Sequence, residues 1–391
     1  MRSVLPVIVC SQFFCTSLWF AGNAVLPDIV LEFHLQAGFI ANLTSAVQLG
    51  FISGTLLFAL LTIADRFSPS RVFFLCSIIA ALVNLGVALK GSSTTTLLLF
   101  RFLTGFFLAG IYPVGMKIAA DHFEKGLGRS LGLLVGALVL GTAFPHLLRS
   151  FSFSLAWRTI IFATSLLSVA GGIAMLLLVA DGPYRRSGQQ LNLKAIGVVF
   201  REKKLRSAAL GYFGHMWELY AFWAFVPVML RAYTGRHPGS TMPVSLISFL
   251  VIASGSIACG IAGYISSNGR EKRTAALALA ISGCCCLLSP WLLNNSSELL
   301  LVIFLFIWGM SVIADSPLFS TMVAQSAPPQ VKGSALTIVT CIGFAITILS
   351  IQLLNVLNNR YHSPFIYLVL AAGPVSGLIG MFTKQKRSLQ A

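Results

Sequence analysis

Charge is what this sequence has least of. Only 10% of its 391 residues are Asp, Glu, Lys or Arg, and just 11 of them are acidic. A soluble domain carries roughly 25% charged residues. A chain this long with so few charges cannot cover itself with polar surface, so soluble folds are excluded. Segments of alternating polarity, ~10 residues each as a transmembrane β-barrel requires, are also missing. H-E-x-x-H does not occur, and the G-x-S-x-G string at 128–132 follows no strand as a nucleophile turn requires, which leaves a membrane enzyme without a compact constellation of reacting groups. No ATP-binding motif is present; "GLGRSLG" (126–132) follows no strand and is not a nucleotide loop.

What is there is apolar residue in blocks. Hydrophobic residues make up 57% of the chain, and the mean hydropathy is +0.87. The blocks run about 20 residues, enough to cross ~30 Å of hydrocarbon as helices. Twelve are predicted, near 4–26, 38–63, 71–90, 96–119, 129–149, 157–180, 207–231, 242–266, 274–293, 298–323, 333–357 and 363–383. Arg2 ahead of the first block suggests a cleaved signal peptide, but the block is too long and no small-x-small site follows it cleanly.

The net charge of +16 fits the positive-inside rule. With the N-terminus in the cytoplasm, 20 of the 27 basic residues fall on cytoplasmic segments: Arg2, Arg66, Arg71, Lys117, Lys125, Arg129, seven between 185 and 206, Arg270, Lys272, Arg273, Lys332, Lys384, Lys386 and Arg387. Six fall on the other face, and Arg101 lies within the fourth block. Both termini are then cytoplasmic. The basic residues are spread over membrane-flanking loops, so no nucleic-acid partner is expected. The eight cysteines fall inside the blocks, where a disulfide framework is not expected. Cys284, Cys285 and Cys286 are adjacent on a helix and point three ways, so they cannot converge on a metal ion. They read as small packing residues.

One polar, basic segment, "DGPYRRSGQQLNLKAIGVVFREKKLRS" (181–207), interrupts the apolar rhythm. It is expected to link two six-helix halves, 1–180 and 207–391, through 181–206. A short amphipathic helix within it would lie on anionic lipid. A shift of 204 positions aligns Trp19 with Trp223, Arg66 with Arg270, Pro113 with Pro317, Ala120 with Ala324 and Ser130 with Ser334. Six spans, a linker and six spans of the same sense imply parallel repeats about an axis along the membrane normal. The expected fold class is an all-α polytopic membrane protein of twelve transmembrane helices in two six-helix bundles.

The most specific local signal is "LTIADRFSPSR" (61–71) at the end of the second block. It resembles the loop signature of the major facilitator superfamily, G-x-L-A-D-R-x-G-R-K/R, with Asp65 and Arg66 in its acidic and first basic places. Leu61 and Ser68 depart from the two glycines. "GYISSNGREKR" (263–273) is a fainter copy without an acid. "RFLTGFFLAGIYPVG" (101–115) resembles the family's R-x-x-x-G pattern through Arg101 and Gly105. The fifth block lacks the G-P-x-x-G-G string typical of drug antiporters. The resemblance implies two bundles around a central cavity, lined by the first and fourth spans of each half. It also implies a cytoplasmic gate at Asp65 and Arg66, with Arg129 nearby and Asp65 beside a helix N-terminus of the other half. A plain membrane-edge anchor is the competing reading of that loop.

Few ionisable residues lie deep in the blocks: Arg101, His146, His215, Glu218 and Asp315. A charge in hydrocarbon is costly, so such residues face a polar interior or become neutral. In "GHMWELYAFW" (214–223) His215 and Glu218 are three apart and share a helix face. Glu218 is the first candidate for proton coupling, and a hydrogen bond between packed helices is its plainer role. Asp315, in "ADSPLF", is a second candidate, or a cap on the helix that restarts at Pro317. Arg101 is a cavity residue or snorkels to the interface, and His146 reads as interfacial. Gln12, Thr16 and Asn23 on the first span are candidate polar cavity residues. The expected function is secondary active transport of a small solute by alternating access. Protons are the first guess for coupling, as symport or antiport, without cofactor or metal. The expected setting is a bacterial inner membrane, with lipid around a monomer. Drug or metabolite efflux and uptake of nutrients or organic anions stay open, as do a polytopic membrane enzyme and a non-transporting sensor.

Overall fold

A backbone inside hydrocarbon must satisfy its own N–H and C=O groups, and a helix does so residue by residue. The structure, a computed structural model, describes residues 4–35, 38–123, 127–151, 156–185, 191–265 and 269–383. Among them there are helices and no strand. Arg2, Lys125, Arg186, Lys384, Lys386 and Arg387, used above for the charge count, lie outside the described residues.

The first block is broken into α1 (Val4–Thr16), α2 (Ala21–Ala24) and α3 (Leu26–Glu32). Then come α4 (Phe39–Leu60), the single turn α5 (Ile63–Arg66) and α6 (Pro69–Gly86). The fourth span is split into α7 (Thr94–Leu108) and α8 (Tyr112–His122), with Pro113 starting the second piece. The first half closes with α9 (Leu127–Phe151) and α10 (Arg158–Leu178). The short α11 (Ala195–Arg201) occupies the linker, burying Ala195 and Val199. The second half holds α12 (Lys203–Arg236), α13 (Val244–Ile265) and α14 (Glu271–Asn295). Its tenth span is split into α15 (Glu298–Ala314) and α16 (Ser316–Ser326), with Pro317 in the first turn of α16. It ends with α17 (Lys332–Tyr361), a 3-10 stretch Pro364–Ala371 and α18 (Ala372–Phe382).

Ten helical stretches among the described residues are long and apolar enough to cross a membrane. The two remaining blocks are the broken first one and α12, whose 34 residues are ample for a crossing at 1.5 Å per residue. The protein is an integral membrane protein of two six-helix bundles. Large apolar side chains such as Leu82, Leu166, Leu177, Leu299 and Leu349 stand exposed on the helix flanks, where a soluble fold would place charge and a bilayer offers hydrocarbon.

The repeat persists down to packing. Thr94 opens α7 and Glu298 opens α15; Tyr112 opens α8 and Ser316 opens α16. Both pairs are 204 positions apart. A Cβ added to Gly105 would lie 2.0 Å from the Val47 carbonyl oxygen, and one added to Gly309 2.4 Å from that of Val251. Each half therefore lets its second and fourth spans touch through a glycine that nothing larger can replace. Between halves, α9 packs along α13 and α4 along α17. The face bearing the linker is called the linker face below, and the other the opposite face.

On the opposite face Glu32 receives the Arg158 guanidinium on both oxygens and the Trp157 indole N–H at 2.8 Å. The Arg158 bonds, then the Trp157 bond, hold its carboxyl below the ordinary carboxylate range. A lowered folded-state pKa means stability that is present above the unfolded pKa and is lost as pH falls through the folded one. Glu32→Gln should therefore unfold below the parent at pH 7, by at most about 1 kcal/mol because the pair is partly exposed. Thermal melts should show the gap closing as the pH is taken well under the unfolded value of about 4.3. A gap independent of pH would mean that the carboxylate charge contributes nothing.

Candidate functional site

The break in the first span has a local cause. Thr16 Oγ1 donates to the Gln12 carbonyl at 2.8 Å and Ser17 Oγ to that of Phe14 at 2.7 Å, and such back-bonding bends helices. The chain tightens, with Trp19 N–H reaching the Thr16 carbonyl at 3.0 Å, and the carbonyls of Leu18 and Trp19 turn aside. Arg101, with no exposed surface, meets them. Its guanidinium donates to Leu18 O at 3.2 Å, to Trp19 O at 2.5 Å and to Asn84 Oδ1 at 3.2 Å. Asn84 in turn donates to Ser165 Oγ at 3.0 Å. A Cβ on Gly22 would come within 3.3 Å of Arg101 Nε, so the glycine leaves room for the guanidinium. Arg101 thus binds the first, third, fourth and sixth spans together.

Glu218 and His215 share α12 but face different partners. Glu218 is wholly buried against α14 and α15. Trp308 Nε1 donates to its Oε1 at 2.5 Å, Cys286 Sγ to the same oxygen at 3.2 Å, and Ser282 Oγ to Oε2 at 2.9 Å. His215 turns instead to the break in the tenth span. Its Nδ1 lies 2.7 Å from Asp315 Oδ1, and both side chains are 1% exposed. The two atoms are close enough to pair as ions when the imidazole carries its second proton. Asp315 stands at the cap position of α16, yet its side chain makes no capping bond. His215 Nε2 and Asp315 Oδ2 have no partner among the described residues. His215 is flanked by the rings of Tyr212 and Phe319 at 6.0 and 6.1 Å.

Aromatic rings fill the seam between the bundles. Trp19 stacks on Tyr220 at 5.9 Å and on Phe344 at 5.8 Å, and tilts against Phe51 at 4.9 Å. Phe51 meets Phe344 at 4.5 Å, and Tyr220 meets Trp223 at 5.3 Å. All five rings are buried, so the bundles are closed on each other here. Two cavities, about 790 and 390 Å³, open elsewhere, at the linker-face and opposite-face ends of the second half. Of the polar residues of the first span, Asn23 donates to Thr44 Oγ1 at 2.8 Å and Thr16 serves the backbone. Gln12 is buried with neither amide atom partnered among the described residues.

At the linker face Asp65 meets Lys117 of α8 at 2.9 Å, and Lys117 also reaches Asp121 at 3.5 Å. Among the described residues the ion-pair partner of Asp65 is thus a cation of its own half, where the resemblance implied a helix N-terminus of the other. Arg185 ties the linker to the same loop, donating to the carbonyls of Asp65 and Phe67. Arg66 and Arg129 are exposed. The structure therefore brings together His215 with Asp315, and keeps Glu218, Arg101 and the Asp65 loop in separate environments. His146, expected at the interface, is buried in α9.

Sequence reasoning missed Ser282, Cys286, Trp308, Asn84 and Lys117. Ser282 and Cys286 are four apart on one face of α14, a spacing that fits a shared acceptor. Their distance from Glu218 in sequence hid it. Cys284 is exposed while Cys285 and Cys286 are buried.

The profile of the Major Facilitator Superfamily matches residues 8–382. Among solved structures, the chain superposes on the human organic anion transporter MFSD10 (TETRAN) with a TM-score of 0.76 and 14% identity, over 97% of this chain and 99% of that one. On the nucleoside transporter NupG, in a mutant form, the TM-score is 0.73 and the identity 14%, over 97% and 100% of the two chains. At such identities the likeness is one of fold. No curated protein sequence matches the chain.

Arg101→Lys tests the grip on the first span. An ammonium is a point donor and cannot fork to two carbonyls and an amide. Each buried carbonyl left unpaired costs about 1–3 kcal/mol, so thermal unfolding in detergent should come at a clearly lower temperature. An unchanged melting temperature would show that the break is held by something else.

Proposed function

The chain belongs to the Major Facilitator Superfamily and is a membrane transporter, and we propose that it moves a small solute by alternating access, driven by protons. The observation that carries the coupling is the His215–Asp315 pair at the break of the tenth span. With one proton between them the pair has no net charge; without it the pair is an anion. A net charge in a closed, buried site costs several kcal/mol, so only the protonated pair crosses the closed state without that cost. The unpartnered Nε2 and Oδ2 are where a proton arrives once the bundles part. Glu218 was the first candidate from sequence. Its two oxygens already receive three donors within one bundle, which supports a structural role.

The moving bodies are 1–180 and 207–391, joined by 181–206. Neutral glycine contacts between α9 and α13 suit their separation: a Cβ on Gly132 would lie 3.2 Å from the Cys259 carbonyl. The organic anions and nucleosides named for the two structural likenesses differ in charge, so the solute class rests on residues of this chain.

Asp315→Asn should keep downhill solute exchange in proteoliposomes and lose accumulation driven by a pH gradient. Glu218→Gln should keep both, at reduced stability. Accumulation by Asp315→Asn equal to the parent, or its loss in Glu218→Gln alone, would move the coupling to Glu218.

The charge bias of the loops supports a bacterial inner membrane with both termini in the cytoplasm. In a background without the exposed Cys10 and Cys284, Gly239→Cys should react with an impermeant maleimide from outside, and Lys194→Cys only after lysis. Labelling of Lys194→Cys in intact cells would invert the topology.

A further inference from the structure

We infer that the solute is an uncharged planar ring bearing hydrogen-bond acceptors, held in the aromatic box of Trp19, Phe51, Tyr220, Trp223 and Phe344. This rests on the transporter reading and names the solute class for it.

Two of the box's rings carry donors that nothing in the described protein accepts. Trp19 Nε1 and Trp223 Nε1 are both buried without a partner. Gln48 joins them: it lies one turn from Phe51 on α4, is fully buried, and has neither amide atom partnered among the described residues. Buried polar groups are almost always satisfied, so three orphans around one set of rings mark a place where something else supplies the partners. Indoles donate and cannot accept, whereas the glutamine amide does both. The missing molecule must therefore bring at least two acceptors, plus an edge that can pair with an amide.

The rings set its shape. Trp19 lies at 29° to both Tyr220 and Phe344, and those two rings of the second half lie 5.3 Å from each other, so the three form a triangle across the seam. Parting the bundles opens a slot between these faces, and a flat ring restores the stacking that the separation removes.

The charges set its neutrality. A carboxylate solute needs a free cation and an ammonium solute a free anion. The two terminal nitrogens of the Arg101 guanidinium are held by the Leu18 and Trp19 carbonyls and Asn84, and its Nε, without a partner among the described residues, lies against Gly22. Glu218 is held by three donors. His215 and Asp315 answer each other. The hydrogen-bonding capacity left at the rings belongs to neutral groups.

The test uses the full chain in detergent micelles, without any gradient. Nicotinamide and uracil serve as uncharged planar probes, benzoate as the anion and phenethylammonium as the cation. Binding is read by tryptophan fluorescence quenching and by the rise in melting temperature that a native-state ligand produces. Nicotinamide or uracil should bind, and the two ions should bind at least about tenfold more weakly. Trp19→Phe and Trp223→Phe keep an aromatic ring and remove the N–H; each should weaken the neutral probe about tenfold, the loss expected for one buried hydrogen bond, with a lower unliganded melting temperature because the smaller ring leaves space in the seam. Gln48→Leu provides a third variant should either tryptophan change prevent folding. Binding of benzoate or phenethylammonium as tight as that of the neutral rings overturns the inference. So does an absence of binding by both neutral probes, or unchanged affinity in the indole variants. A protein that binds the rings but accumulates nothing in a pH gradient defeats the coupling proposal alone. One that accumulates a different solute, with the rings unbound, defeats only the assignment made here.

Discussion

The grip of Arg101 on the carbonyls of Leu18 and Trp19 is the contact on which the centre of this protein depends. Hydrocarbon offers a freed carbonyl no water, so a broken helix must bring its own donor. Arg101 is that donor, and the cost of burying its charge is offset by three acceptors at once. The consequence reaches beyond the backbone. Trp19 is a residue whose carbonyl is held, and its ring, with those of Phe20 and Phe51, meets rings of the other bundle. The network that mends the break also sets the direction of the central indole.

The repeat offers an internal comparison. Trp223 occupies in the second half the place of Trp19 in the first, but α12 runs through it as an unbroken helix. Pro227 has no N–H to offer the Trp223 carbonyl four residues back, but α12 continues as a helix through that point. The position that corresponds to Arg101 under the same shift is Leu305, buried and apolar. Gly105 and Gly309, by contrast, are kept in both halves, because both halves press the second span against the fourth. Shared packing keeps the residue; an unshared break explains the charge. Arg101 thus reads as a local solution to a backbone fault.

The sequence made some of this legible and hid the rest. The apolar spans and the break at Pro317 were visible because hydropathy and proline act within a few residues. The break at 17–20 was not, since that stretch contains no proline or glycine and the bend comes from hydroxyls bonded to the preceding turn. The polar residues of the spans were easy to pick out and hard to interpret. Glu218 and His215 share a helix face, yet one is answered by residues 64 to 90 positions away on two other helices and the other by Asp315. Asp65 matched its motif place, while its partner Lys117 depends on how α5 and α8 meet, which no local pattern records.

Ion pairs follow a rule that bears on motion. Among the described residues each one joins groups of a single half, or sits within the turn that opens the linker: Asp28 with Arg149, Glu32 with Arg158, Lys117 with Asp65 and Asp121, Arg185 with Asp181, and His215 with Asp315. The seam is made of different material. It carries stacked rings, glycine contacts and neutral hydrogen bonds such as Gln352 to Ser45 at 3.0 Å. The distinction is energetic. Separating a buried ion pair strands two charges, whereas separating two rings exposes only apolar surface that another ring or lipid can cover. Charge contacts thus stay within a bundle, and stacked rings, glycine contacts and neutral hydrogen bonds hold the bundles to each other. A seam built this way can open without unfolding either side, which is the physical condition that alternating access imposes on any pair of rocking bodies.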